Sequence, residues 1–317
     1  MTSPGGRSTA GAVADDLTAW IDERLEAVGV RRRSAPRIER VWARATTVSF
    51  ATDRGPMWAK AVPGVFAHEV AVTVLLADID PGCVPPVVAA DEDLGRIITE
   101  HVEGPTLASE HDRPDAWAAT LIRLAELQRV LAAEPVALAI AGVAMAPIES
   151  LAEAVPRLLA DDGLLATGRP GGLTKGEAKM LRARAPDFIA ACESLSESTI
   201  PDTLDHGDLS GDEVILGEMG PVFLDWSDGS VTHPFLSAAS LLADGAPGDD
   251  LAGAYLAPWI GAGIVTDAVG REALADAATV VPLHVAALYA DRILPALGGE
   301  ARSDPKVVAG LRRLVTR

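Results

Sequence analysis

Residues 205–228 read DHGDLSGDEVILGEMGPVFLDWSD. His206-Gly207-Asp208-Leu209 has the composition of a turn. A short strand, Glu213 to Leu216, follows it. A reverse turn at Gly217 to Pro221 then leads into a second strand, Val222 to Leu224. That strand delivers Asp225, followed by Trp226. The pattern predicts a hairpin with Asp208 and Asp225 at neighbouring ends. Two converging carboxylates suit phosphoryl transfer: one accepts the proton of an attacking hydroxyl, and the other holds a magnesium ion against phosphates. The plainer alternative is a pair of surface acids in two turns, since turns favour Gly and Asp. A serine-hydrolase reading fails, because GDLSG at Gly207 to Gly211 is not the G-x-S-x-G elbow.

Composition sets the frame for this hairpin. The chain has 317 residues, enough for one large domain or two lobes with a sizeable core. Apolar residues make up 49% and charged residues 23%, in the globular range. The two cysteines, Cys83 and Cys192, are far apart, which argues against a disulfide framework and for a reducing, cytoplasmic compartment. No C-x-x-C or H-E-x-x-H pattern suggests zinc. A net charge of −18 disfavours nucleic acid and anionic membranes as partners, and weakly favours a cationic substrate. The longest apolar candidate, Pro135 to Ile148, is interrupted by Gly142 and Pro147, so no membrane span is expected. Residues 1–14 read as a disordered lead-in.

The chain upstream of the hairpin divides into a strand-rich part and a helix-rich part. Asp15 to Val28 has helical spacing. Ile38 to Ala43, Thr46 to Thr52 and Met57 to Val62 read as strands, with Asp53 to Pro56 as a turn. Lys60 falls in the third strand, and nine residues later Glu69 lies in the helical stretch Phe66 to Asp78. Val84 to Ala89 and Arg96 to His101 suggest two more strands. A boundary is expected after Val102, giving domains 15–102 and 103–317. Pro114 to Ala132, Ile148 to Leu159 and Thr174 to Leu195 then read as helices, the last with a Thr174–Glu177 capping box. Helices are also expected at Phe235 to Leu242, Leu251 to Trp259, Asp267 to Leu297 (interrupted around Pro282) and Lys306 to Val315. Asp228 suits a helix cap or loop role as well as a metal or substrate contact, and His233 reads as structural. Asp244, Asp249 and Asp250 read as solvated loop charges.

The HGD motif, the Asp-ending strand and the Lys60/Glu69 pair together resemble the aminoglycoside phosphotransferase and choline kinase group. Its signature is HGD, four residues, Asn, then a strand ending in Asp. The resemblance covers about residues 37–300. It implies an α+β, protein-kinase-like bilobal fold, with a small antiparallel sheet and one helix in the first lobe and a mainly helical second lobe. It also implies an ATP-dependent (or GTP-dependent) transferase using Mg2+. Lys60 would hold the nucleotide phosphates and Glu69 would orient it. Glu100, His101 and Val102 match the segment that contacts the adenine. Asp208 would be the base, His206 its scaffold, and Asp225 a magnesium ligand. The turn from Ala43 to Thr47, which would cover the phosphates, has no glycine. Thr46 and Thr47 would supply hydroxyls and N–H groups there.

The sequence departs from that signature at one telling place. Asp208 plus five is Glu213, not Asn. Glu still offers magnesium an oxygen, but it is longer and cannot donate when ionised. Three functions follow. One is phosphorylation of a small-molecule hydroxyl, on a cationic antibiotic or amine-bearing metabolite. Another is a degenerate kinase fold that binds a ligand or a partner protein. The last is phosphorylation of a peptide Ser or Thr.

Overall fold

The computed structural model describes residues 9–245, 250–298 and 302–316. The expected lead-in at 1–8 and Asp249 lie outside them. Residues 9–14 instead open the first helix, α1 (Thr9–Ala27). The chain divides into two compact units, Met1–Glu103 and Gly104–Arg317.

The first unit is built on an antiparallel sheet. β1 (Arg37–Trp42), β2 (Ala45–Thr52) and β3 (Gly55–Ala61) precede α2 (His68–Ile79). β4 (Val87–Asp91) and β5 (Arg96–Glu100) follow. The five strands lie in the order β1-β2-β3-β5-β4. Side chains alternate across a sheet, so register decides which face each residue serves. Val48, Phe50, Met57, Ala59 and Ile98 turn to α1 and bury Leu17, Trp20, Ile21 and Leu25. The opposite face carries Thr47 against Lys60, Lys60 against Ile97, and Ser49 against Trp58. Each fully buried aliphatic side chain in the α1 layer contributes about 1.5–3 kcal/mol. One face thus packs on α1, and the other carries Lys60 with both polar and apolar neighbours.

The second unit is mainly helical. α3 (Pro114–Ala132) begins at Pro114, whose missing N–H costs nothing in a first turn. The stretch after it forms α4 (Pro135–Ile140) and a two-residue strand, β6 (Ala144–Met145), and then α5 (Ile148–Ala160). The single helix expected from Thr174 to Leu195 is two, α6 (Lys175–Ala183) and α7 (Ala185–Ser196). Pro186 stands in the first turn of α7 and cannot continue the helix before it. The Thr174–Glu177 capping box is present.

β7 (Thr203–Asp205) leads to the hairpin β8 (Val214–Gly217) and β9 (Gly220–Phe223), then β10 (Ser230–Thr232). β10 lies between β6 and β7, parallel to the first and antiparallel to the second. α8 (Phe235–Asp244), α9 (Leu251–Gly261) and α10 (Asp267–Leu288) follow. α10 runs on through a π-helical turn, Tyr289–Ile293, into α11 (Leu294–Ala296), and α12 (Pro305–Thr316) closes the described chain. The irregularity in this long helix lies at Tyr289–Ile293, not at Pro282, which sits buried within α10.

Asp267–Ala296 is long and apolar enough, by length and composition, to cross a membrane. Half of that apolar window is buried within the protein. α10 packs against α5, α7, α8 and α12, as a core helix does. Both cysteines are free and buried, and burial pushes the Cys192 thiol up to about 12.

Candidate active site

In the first unit, the Lys60 ammonium lies 2.6 Å from Glu69 Oε1. Their side chains are 20% and 7% exposed, so the carboxylate is the buried partner. The pair follows from local structure. Lys60 leaves β3 on the face away from α1, and Glu69 stands in the first turn of α2. Trp58, two residues before Lys60, shares that face, and its indole N–H donates to His101 Nδ1 at 3.0 Å. His101 N donates to Pro56 O at 3.1 Å, and Glu100 N to Pro86 O at 2.9 Å. Val102 is half-buried just beyond. Thr47 lies opposite Lys60. Thr46 pairs with Ala61 and is buried on the α1 face. The β1–β2 turn holds Arg44, buried, with its guanidinium 4.9 Å from the Phe66 ring and 5.2 Å from that of Trp42.

In the second unit, Leu224 ties together the segments that carry the acids. His206 is fully buried, tilted against Trp226 at 4.6 Å, and its Nε2 lies 2.7 Å from Leu224 O. Leu224 N donates to Glu213 O at 2.9 Å. The residue before Asp225 is therefore tied both to the residue two before Asp208 and to the Glu213 backbone. Asp225 itself has φ 56° and ψ 64°. A non-glycine residue in this left-handed region is uncommon and stores strain of order 1–3 kcal/mol, a cost that clusters at functional sites.

The support beneath this turn is polar and buried. Ser237 Oγ accepts from His206 N at 2.8 Å and donates to Asp205 Oδ1 at 2.5 Å. His284 Nε2 from α10 lies 3.3 Å from Asp205 Oδ2. Gln128 Nε2 donates to Leu204 O and Pro234 O, and Tyr255 donates to Gln128 Oε1 at 2.7 Å. After Asp225, Arg292 donates to Ser227 O at 3.0 Å and Gly229 O at 3.2 Å, and stands 4.0 Å from Asp228 Oδ1. Asp228 is buried and ends a single 3-10 helical turn, Trp226–Asp228. His233 is also buried, and burial lowers its pKa to about 4.

Asp208 is half-exposed and forms an ion pair with Lys306 of α12. The sequence offered no local signal for Lys306, which comes from the far end of the chain. Trp58 had one, since it alternates onto the face of Lys60. Among the described residues no group of three or more His, Cys, Asp or Glu is gathered as a metal-ligand cluster. Magnesium does not need one. It is commonly held by one or two carboxylates together with substrate phosphates. Asp225 and Glu213, hard oxygen donors on segments joined through Leu224, fit that pattern.

A sheet bearing a lysine–glutamate pair, followed by a helical unit bearing an acid-ended hairpin, is the arrangement of the protein-kinase-like fold. Solved structures agree. A macrolide 2'-phosphotransferase type I aligns over 98% of this chain and 99% of its own, with 16% identity and a TM-score of 0.61. A choline/ethanolamine kinase family protein from Mesorhizobium loti aligns over 88% and 87%, with 16% identity and a TM-score of 0.58. The choline kinase LicA from Streptococcus pneumoniae aligns over 93% and 99%, with 13% identity and a TM-score of 0.54. At these identities the likeness is one of fold. No protein-family model matches the chain, and no curated protein matches its sequence. The α+β, kinase-like fold expected from HGD…D and Lys60 is the one observed.

Proposed function

We propose that the chain is an ATP-dependent phosphotransferase that phosphorylates a hydroxyl of a small molecule. The observation that carries this reading is the double tie of Leu224, to His206 and to Glu213, which holds Asp208, Glu213 and Asp225 on adjoining segments. Lys60, held straight by Glu69, binds the nucleotide phosphates. Trp58 and His101 offer rings for the base. Asp225 and Glu213 hold magnesium, which neutralises phosphate charge when bound. Asp208 accepts the hydroxyl proton and aligns the oxygen for in-line attack. Positioning and charge do most of the work in such transfers.

One observation favours a second reading, a kinase fold kept for binding a ligand or partner protein. Glu213 replaces the amide that would donate a hydrogen bond to the base. Calorimetric titration with ATP, with and without magnesium, separates the two readings. The phosphotransferase reading expects magnesium-dependent binding that Asp225→Ala abolishes. It also expects a fall of about 10²–10⁴-fold in turnover on Asp208→Asn, the range of general-base catalysis. Binding that appears only after Glu213→Asn would support the second reading. No binding by either form would refute the placement of the nucleotide site and with it the phosphotransferase reading.

A further inference from the structure

Beside Asp208, within the second unit, is a cavity of about 230 Å³. Its apolar wall includes Ala239 and Ala278, and its charged groups are Asp208, Asp244, Lys306 and Arg313. The two cations are seven residues apart on α12, so they share one helix face. α12 is firmly seated. Val307 and Leu311 are buried, Arg312 reaches Glu177 at 3.2 Å, and Asp304 accepts from Lys306 N at 2.8 Å. Lys306 and Arg313 are therefore fixtures of the cavity. Asp244 is already engaged with Gly211 N at 3.4 Å.

We infer that this cavity takes a small acceptor bearing an anionic group beside its hydroxyl, and that Lys306 and Arg313 select it. The inference rests on the phosphotransferase reading and specifies its substrate class. Two physical points carry it. The volume lies below the roughly 300–1,000 Å³ of pockets for drug-sized ligands, which suits a molecule of a few carbons rather than a multi-ring compound. The second point concerns the ion pair on the base. An acceptor hydroxyl must reach Asp208, which Lys306 occupies. The side chains of the pair are 41% and 37% exposed, and so exposed a pair is weak and exchanges readily. An acceptor carboxylate or phosphate gives Lys306 a new partner as the hydroxyl takes its place. A cationic acceptor would find a partner in Asp244, but would set like charge against Lys306 beside the reacting hydroxyl and leave that lysine without a new partner. In the transfer, the bond from the γ-phosphorus to the ADP oxygen breaks. A bond from that phosphorus to the acceptor oxygen forms, and the hydroxyl proton passes to Asp208.

The test uses the full chain with Mg-ATP and three sets of small acceptors, with products read by phosphorus NMR. The sets are hydroxy acids (glycerate, malate, 3-hydroxybutyrate), amino alcohols (ethanolamine, choline) and glycerol. The expected result is ADP and a phosphorylated hydroxyl with a hydroxy acid. Lys306→Gln should then raise KM for that acid roughly 10- to 100-fold with a smaller change in kcat, the size of one charge-assisted contact. Arg313→Gln should act in the same direction, and Lys306→Arg should restore most of the affinity. Preferential turnover of an amino alcohol overturns the inference. So does an unchanged KM in Lys306→Gln, or failure of every hydroxy acid in a chain whose ATP binding depends on Asp225. A chain that binds no Mg-ATP refutes the phosphotransferase reading itself, and this inference with it.

Discussion

Replacing Gly207 with alanine probes the joint between the two acid-bearing turns. Gly207 has φ +78°, and a Cβ there would lie 2.4 Å from Asp228 O and 2.8 Å from Asp228 C. Two costs add. Left-handed backbone costs a residue with a Cβ about 1–2 kcal/mol. Forcing packed atoms to shift costs about 1–3 kcal/mol more. The Asp228 carbonyl cannot easily yield, because Arg292 grips the carbonyls on either side of it and Ser230 pairs with Asp205. Gly207→Ala should therefore destabilise by about 2–5 kcal/mol in total. Gly263 supplies the control in the same unit. Its φ is +71°, but nothing lies within 4 Å of a Cβ there. Gly263→Ala should lose only the backbone part, about 1–2 kcal/mol. Urea unfolding of both variants, compared at equal slope, measures the difference. Equal losses would refute the claim that the turn before Asp208 is packed against the Asp228 backbone.

Two further outcomes test separate parts of the site. Glu69→Gln keeps the volume but removes the buried charge 2.6 Å from Lys60. It should weaken Mg-ATP binding by about 10-fold or more, the scale of a charged hydrogen bond. Calorimetry that finds unchanged affinity would deny Lys60 its phosphate role. His233 tests the pH response. Burial lowers its pKa to about 4, against the ordinary 6.5, and the nearby Asp205 opposes that shift only in part. The unfolded chain therefore binds the extra proton, so the stability contribution is complete above pH 6.5 and declines as pH falls towards 4. The loss is up to about 3 kcal/mol. The slope of unfolding free energy over that window should flatten in His233→Gln, and an unchanged slope would sink the assignment.

Much of the fold was legible because its signals are local. The Gly217–Pro221 turn between two short apolar runs specifies the hairpin, and Lys60 and Glu69 fall on consecutive elements. The failures have physical causes. Thr46 and Thr47 are adjacent, yet one faces α1 and the other lies beside Lys60. In a strand a single residue decides the face, and register is not written locally. The break between α6 and α7 was missed although Pro186 marks it, because apolar spacing continues through the junction. The support under His206 draws on Gln128, Ser237 and His284, from three helices. Such a buried network has no sequence period, and only the tertiary fold assembles it.

Lys306 alters how Glu213 should be weighed. In the sequence, Glu213 is simply a carboxylate where an amide is expected, beside Asp208 and Asp212. Three acids within one loop repel one another, and taken alone the substitution looks like damage to the site. The structure adds a cation to the same loop, through the Lys306–Asp208 pair, and turns Asp244 onto the Gly211 amide. Lys306 thus answers the charge of Asp208, the residue that Glu213 would crowd, while Asp244 adds an acid of its own. Glu213 belongs to a loop whose balance depends on a residue from the far end of the chain. Restoring Asn at 213 without touching Lys306 changes that balance as well as the ligand set. Turnover by the native pair, rather than by Glu213→Asn alone, is the fair measure of whether this site does chemistry.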